Sequence, residues 1–534
     1  MISKNQAEMR MSKPASTLWS IALASFVALM FLGAPLKGAF SWADAPRHAL
    51  NGAFVLDLLR ALPGADPVAF AYDYYSRYPA LTILFYPPLF SFVLAGFYAT
   101  FGVSQETAIF TMFLCQVVLA LGTFHVANYW LPPLGAFGAA TMLTAFPEIA
   151  FWSRQVMLEI PALAVLTWSA YYLIKHLRCG TIKPLYASIA LLVLAHYVKL
   201  SVAFMILPYA AVLLRTHGFA ILKNRHLYII GALASLGISP LVLMTIYFGS
   251  ANVQSVTGIA DSSVSRLSVD GWLWYLRALP AQVGWPALVA VLALVAVPLL
   301  KRRYPSGPKG STLLLILWVV VGYIFFSSID LKDPRLDLYI FPPLAIGSAL
   351  AIYSLFSARP RLAGFAVISV ALATLAITLT QRPVAYVTGY RDVASFVSAH
   401  APVGSRVLFS GYRDGAFIFS MREREDRRDL TVLRADKMLL RIAVRRELGV
   451  VQATLSEDEI AELLNSSGVH YVVAQPDFWI DLEQMARLQK VLLSDRFTEV
   501  ARFPLRSNYP ALDKEAVVYK NLGEVTSGPV KITN

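Results

Sequence analysis

Cysteine is nearly missing from this chain. Its 534 residues include two, Cys115 inside an apolar run and Cys179 in a basic loop, so neither a disulfide framework nor a cysteine metal site organises the fold. Charge is scarce too. Only 15% of residues are charged against 57% hydrophobic, which excludes an ordinary soluble domain and reads as an integral membrane protein. Acids are fewest where apolar runs are densest. Residues 386–534 hold 20 Lys/Arg and 20 Asp/Glu, leaving 26 basic and 13 acidic residues before them. The net charge of +13 therefore lies wholly in the membrane part, where it follows the positive-inside rule rather than marking nucleic-acid binding. Residues 385–534 also lack a nucleotide loop, a nucleophile elbow and a metal motif, and the chain shows no internal repeat.

What is present is a series of apolar runs centred on residues 17–36, 107–127, 133–150, 160–174, 185–198, 200–214, 227–248, 283–300, 312–329, 338–356 and 363–380. They predict an all-α polytopic bundle of about eleven transmembrane helices, residues 1–384, followed by an extracytoplasmic α/β domain, residues 385–534. The first run has a basic N-terminal flank, but Lys37 follows it without a small-residue cleavage site, so it reads as a retained span. A further apolar stretch, residues 81–101, is assigned to the membrane interface. Pro87-Pro88 breaks it, and only if it does not cross do all the basic clusters fall on one side: Lys175, Arg178 and Lys183; Arg215, Lys223 and Arg225; Lys301, Arg302, Arg303 and Lys309; Arg359 and Arg361. This topology puts the N-terminus and Glu8 in the cytoplasm. It places Asp44, Asp57, Asp66, Asp73, Glu159, Asp261, Asp270, Asp330, Asp333 and Asp337 outside, with a long aromatic first outer loop, residues 37–105.

After Arg382 the pattern becomes that of a mixed α/β domain. Helices are expected at 390–400 and at 456–466, where Ser456 and Glu459 form a capping box. Strands are expected at 406–409, 471–474, 499–503 and 516–519. The charged run Arg422-Glu423-Arg424-Glu425-Asp426-Arg427-Arg428 reads as a solvated loop.

Four places could carry chemistry. Asp44, in Trp42-Ala43-Asp44-Ala45-Pro46-Arg47-His48, has two compatible readings. One is the cap of an amphipathic helix with Leu50, Phe54 and Leu58 on one face; the other is a general base whose pKa Arg47 and His48 could tune. Glu159 marks the next outer boundary, either capping the helix that Pro161 opens or serving as a second acid. Lys199 falls between two short apolar runs, where a charge is a functional hypothesis or a snorkelling side chain. In Asp330-Leu331-Lys332-Asp333-Pro334-Arg335, the lysine and arginine together offer an anionic phosphate a point charge and a bidentate fork.

The order of these features resembles the membrane glycosyltransferases of superfamily C: an acid after the first helix, Tyr86-Pro87-Pro88 in a long outer loop, a second acid after the third helix, a lysine at a hairpin, and Lys-x-x-Arg before a Pro-containing helix. More narrowly it is similar to the protein mannosyltransferase and aminoarabinose transferase branch, over roughly residues 15–385. The resemblance implies that Asp44 is the catalytic acid of the first loop, Glu159 the second-loop acid, and Lys332 and Arg335 the phosphate-side cations. Arg47, His48, Tyr86, Lys199 and Tyr339 complete the expected substrate-binding set. Two positions depart from the family pattern: Ala45 stands where a second acid is common, and Leu336 where a Tyr is.

On this reading a sugar passes from a polyprenyl-phosphate donor to a lipid, glycan or protein acceptor by a single inverting displacement, in a bacterial cell membrane. A divalent metal held by Asp44, His48 and Glu159 is an open alternative within it. The rival readings are a transporter or flippase, for which the boundary position of the charges is unusual, and a membrane-anchored scaffold, which leaves the aromatic outer loop without a purpose.

Overall fold

The computed structural model describes residues 13–32, 38, 40–250, 264–300, 303–442, 446 and 449–526. Glu8, Lys37, Asp261, Lys301 and Arg302 lie outside them.

The chain is mostly helical, with a sheet region at its C-terminal end. Helices α1 (Lys13–Phe31), α2 (Ala45–Ala61), α3 (Pro67–Arg77), α4 (Leu89–Phe101), α5 (Gln105–Ala127), α6 (Pro133–Ala145), α7 (Pro147–Ser153), α8 (Glu159–Cys179), α9 (Lys183–Val198), α10 (Ile206–His217), α11 (Arg225–Phe248), α12 (Val269–Val283), α13 (Trp285–Leu299), α14 (Ser311–Ser327), α15 (Phe341–Leu355) and α16 (Pro360–Gln381) form the bundle. Every apolar run named above contains a helix. Among the described residues five stretches are long and apolar enough to cross a membrane, six if α6 and α7 count as one. The expected eleven spans are therefore not all met by continuous helices. Proline interrupts them: α6 and α7 meet at 70°, where Pro147 denies the first helix its next amide.

The 81–101 stretch breaks at its proline pair, and only its second half is helical. That half, α4, lies against α2 so closely that a Cβ on Gly52 would come within 2.6 Å of Leu94. Leu50 and Phe54 of α2 are buried, as the amphipathic pattern requires. Helix α12 was not visible in hydropathy, since its apolar face is narrow. Ser268 caps it by accepting from the Gly271 amide, and Gln282 at its far end donates to the Pro334 carbonyl and to Asp337, fixing the 330s loop.

After α16 come α17 (Tyr390–His400), α18 (Asp414–Arg422), α19 (Ala435–Leu439), α20 (Glu457–Ser466) and α21 (Glu483–Leu492), around a five-stranded sheet. Its order is β3 (Thr431–Arg434), β2 (Arg406–Ser410), β6 (Val469–Ala474), β9 (Glu515–Asn521), β7 (Phe497–Pro504). Strand β2 runs parallel to β3 and β6, whereas β9 pairs antiparallel with β6 and β7. The helices at 390–400 and 456–466, the capping box and all four expected strands are present.

This α/β unit is clamped to the first loop by ion pairs, and here the reading of the charged run is corrected. Arg422 is fully buried, not solvated. Its guanidinium grips Asp57 of α2 at 2.7–2.9 Å and also donates to the Tyr74 hydroxyl at 3.0 Å. Arg428 adds a second cation to Asp57 at 2.7 Å. Nearby, Asp414 bridges Arg47 at 3.0 Å and Arg434 at 2.7 Å, and Arg391 joins Glu106 to Glu423. A Cβ on Gly415 would meet Pro46 at 2.7 Å, so the start of α18 rests directly on the first turn of α2.

Removing one partner of a buried pair strands the other. Arg422→Ala should therefore destabilise the detergent-solubilised protein by about 3–5 kcal/mol, seen as a lower thermal midpoint and faster proteolysis within residues 385–534. The Asp57→Ala/Arg422→Ala double variant should lose less than the sum of the single losses. A loss under about 0.5 kcal/mol for Arg422→Ala, the level of an ordinary surface change, would show that the clamp does not hold the domain.

Candidate active site

Four segments distant in sequence bring their charges together at the end of the bundle that carries the α/β unit. The turn after α1 supplies Asp44, the first residue of α8 supplies Glu159, the corner after α9 supplies Lys199, and the loop before α15 supplies Asp333 and Arg335. Arg335 is the hub. Its Nη1 lies 3.1 Å from Asp44 Oδ2, and its Nε is 3.4 Å from Asp333 Oδ2 and 3.8 Å from Glu159 Oε1. The local chain pre-sets it: the Arg335 amide donates to Asp333 Oδ1 at 3.0 Å, an Asx turn that folds the side chain back. Its guanidinium also lies over the rings of Trp42 and Trp152, 5.6 Å from each centroid. Glu159 is fully buried, and Lys199 Nζ donates to its Oε1.

Asp44 occupies the cap position of α2, but its backbone is helical and its side chain makes no cap hydrogen bond. The carboxylate is turned to Arg335 instead, with 27% of the side chain still open. Burial works to raise its pKa, and the surrounding cations, Arg335 foremost, outweigh that and hold it below the ordinary carboxylate value. His48, one turn on, is buried against Tyr86, ring centroids 4.6 Å apart. Burial pushes its imidazole down to about 4, so it is neutral at physiological pH.

The other expected residues are placed as follows. Tyr339 is buried, its ring stacked on Phe326 at 5.6 Å and packed against Phe204. Arg47 points to the α/β unit, pairing with Asp414. Lys332 folds onto its own loop, donating to the Ser327 and Ile329 carbonyls and lying 5.8 Å from the Tyr275 ring. The structure therefore brings Asp44, Glu159, Lys199 and Arg335 together, with His48 and Tyr86 beside them, and does not bring Lys332 to the same centre. Among the described residues no three His, Cys, Asp or Glu side chains converge as a metal set; between Asp44 and Glu159 lies the Arg335 guanidinium. Sequence reasoning missed Asp333 as a partner of Arg335 and the two tryptophans around it. The Asp-x-Arg spacing was the available signal for the first. Nothing in the sequence pairs Trp42 with Trp152.

Residues 86–244 match the family described as dolichyl-phosphate-mannose-protein mannosyltransferase. No curated protein sequence matches the chain. Among solved structures it is similar to ArnT from Cupriavidus metallidurans bound to undecaprenyl phosphate, at 14% identity over 96% of this chain and 100% of that one, with a TM-score of 0.63. It is also similar to the archaeal oligosaccharyltransferase AglB from Archaeoglobus fulgidus in complex with an inhibitory peptide and a dolichol-phosphate, at 13% identity over 90% and 72% of the two chains, TM-score 0.50. A third likeness is to the arabinofuranosyltransferase AftD from Mycobacteria, at 16% identity over 97% and 42%, TM-score 0.53. With its site assembled at one end of the bundle, the chain has the fold of these solved structures over nearly its whole length, and residues 86–244 match the dolichyl-phosphate-mannose-protein mannosyltransferase family.

Proposed function

We propose that this protein transfers a sugar from a polyprenyl-phosphate donor to a hydroxyl or amine acceptor at the outer face of a cell membrane, with Asp44 as the base. The observation that carries the reading is the pairing of Asp44 with Arg335 beside a second, fully buried acid, Glu159. The acceptor heteroatom attacks the anomeric carbon, the carbon–oxygen bond to phosphate breaks, its electron pair leaves with the phosphate, and the acceptor proton goes to Asp44. The leaving phosphate needs a cation more than a proton, and Arg335 supplies it.

Arg335 cannot serve both groups fully. As the donor phosphate takes the guanidinium, Asp44 loses the cation that depresses its pKa and becomes a stronger base, so donor binding arms the base. Glu159, itself paired with Lys199, holds the guanidinium from the buried side. A divalent metal on Asp44, His48 and Glu159 would have to take the position of Arg335, so this mechanism runs on the guanidinium alone. Lys332 is given no part in phosphate binding, since its ammonium is committed to carbonyls of its own loop.

The topology is tested by a reporter fused after residue 531, which should be active only on the outer side; cytoplasmic activity there would reverse the assignment. For the chemistry, Asp44→Asn should lower turnover with a defined polyprenyl-phosphate donor by about 100-fold or more, the scale of a lost general base. Because the Asp44 side chain caps nothing, Asp44→Ala should be no less stable than Asp44→Asn, without the further loss of about 1 kcal/mol that a broken cap brings. Near-normal turnover in Asp44→Asn would pass the role of base to Glu159.

A further inference from the structure

Beside the charged centre lies a cavity of about 360 Å³, walled by the bundle on one side and by the α/β unit on the other. That volume falls in the small-molecule range of about 300–1,000 Å³. It shares Trp42, Trp152 and Asp333 with the centre. Its remaining wall carries Glu148, Arg382 and Tyr509.

The chemistry of this lining is specific. Trp42 and Trp152 meet edge to face at 5.0 Å; Trp152 is buried, so the half-buried Trp42 is the ring of the pair that stays open to the space. Glu148, almost fully buried, accepts from Trp152 Nε1 at 2.7 Å and from Arg382 Nη2 at 2.8 Å. Its charge is thereby balanced, and that of Asp333 is balanced by Arg335. Arg382 lies over Phe151 at 4.7 Å, and its buried Nε has no hydrogen-bond partner among the described residues. That atom is closed off, but 37% of the Arg382 side chain is open, so its guanidinium can still donate to a ligand oxygen.

Aromatic faces with paired carboxylate–arginine groups do not suit a free anion or cation. They suit a neutral ring with one apolar C–H face and a rim of hydroxyls. Tyr509 closes the space from the α/β unit. It stands in the turn between β8 (Arg506–Ser507) and β9, is 46% exposed, and lies 5.7 Å from the guanidinium of Arg413, which reaches back to the Ser41 carbonyl beside Trp42. Asn508 in the same turn accepts from the Tyr386 amide at 2.7 Å, so the turn is anchored to the linker that follows α16.

We infer that this cavity is a carbohydrate subsite, in which a neutral sugar ring of the acceptor stacks on Trp42 and Tyr509 and its hydroxyls bond to Arg382 and Asp333. The α/β unit then contributes directly to acceptor choice. Its assignment to the acceptor rests on the transferase reading above. Its assignment to a sugar does not.

The test uses the full chain in detergent, titrated with mannose, galactose and arabinose, and with mannitol as an acyclic control, by saturation-transfer NMR. At least one ring sugar should bind saturably and mannitol should not. Tyr509→Ala should weaken that binding about tenfold, the loss of one stacked aromatic, and Tyr509→Phe should stay within about twofold. Asp44→Asn, outside the cavity, should bind as the unaltered protein does, so a failure of the catalytic reading is told apart from a failure of this one. In transfer assays Tyr509→Ala should raise the acceptor KM and leave the donor KM alone; a rise in donor KM instead overturns the acceptor assignment. Absence of saturable binding by all three sugars, or Tyr509→Ala binding as tightly as Tyr509, overturns the subsite.

Discussion

One guanidinium shared among three carboxylates is the constraint on which the site depends. Arg335 reaches Asp44, Asp333 and Glu159 from a loop whose course is set at one end by an Asx turn and at the other by Gln282 of α12. Charges gathered in so apolar a chain must be compensated within it, because water is not freely available to do so. Two cations, Lys199 and Arg335, face three acids there, and the excess of negative charge is what keeps the guanidinium fixed. The same arrangement leaves the outermost acid, Asp44, the least securely held. Among the described residues its side chain pairs with Arg335 alone, and it retains some exposure, so it is the one an arriving anion can most easily displace.

The second constraint is the clamp between the first loop and the α/β unit. Asp57 faces the apolar side of α2, and an acid in that position must find cations from elsewhere. Arg422 and Arg428 provide them, and Asp414 returns the favour to Arg47 at the start of the same helix. Helix α2 is thus held at both ends by the α/β unit while its N-terminal turn presents Asp44 and His48. The unit thus helps to position Asp44 and is not a mere appendage.

Much of this was legible in the sequence. Hydropathy located most helix-bearing runs in the bundle but not α12, the proline pair at 87–88 located the break before α4, and alternation and a capping box located the principal elements of the α/β unit. Asp44, Glu159, Lys199 and Arg335 could be singled out because a charge at the edge of an apolar run is costly and rarely idle. Pairing could not be read. Lys332 and Arg335 are equivalent in composition, and only the fold turns one toward the acids and the other toward its own carbonyls. The run 422–428 looks like surface by charge density. The burial of Arg422 at its start is decided by Asp57, 365 residues away, which occupies the Leu50 and Phe54 stripe at helical spacing and could have signalled a buried cation partner.

In the proposed mechanism Asp44 and the donor phosphate compete for the same guanidinium. That competition is tested most directly by the affinity of the full-length protein for undecaprenyl phosphate, with and without the Asp44 charge. If the carboxylate competes for Arg335, Asp44→Asn should bind the lipid phosphate more tightly than the unaltered protein, by about tenfold for each 1.4 kcal/mol of pairing released, even as it loses turnover. Equal or weaker binding in Asp44→Asn would contradict the account and place the phosphate on cations other than Arg335.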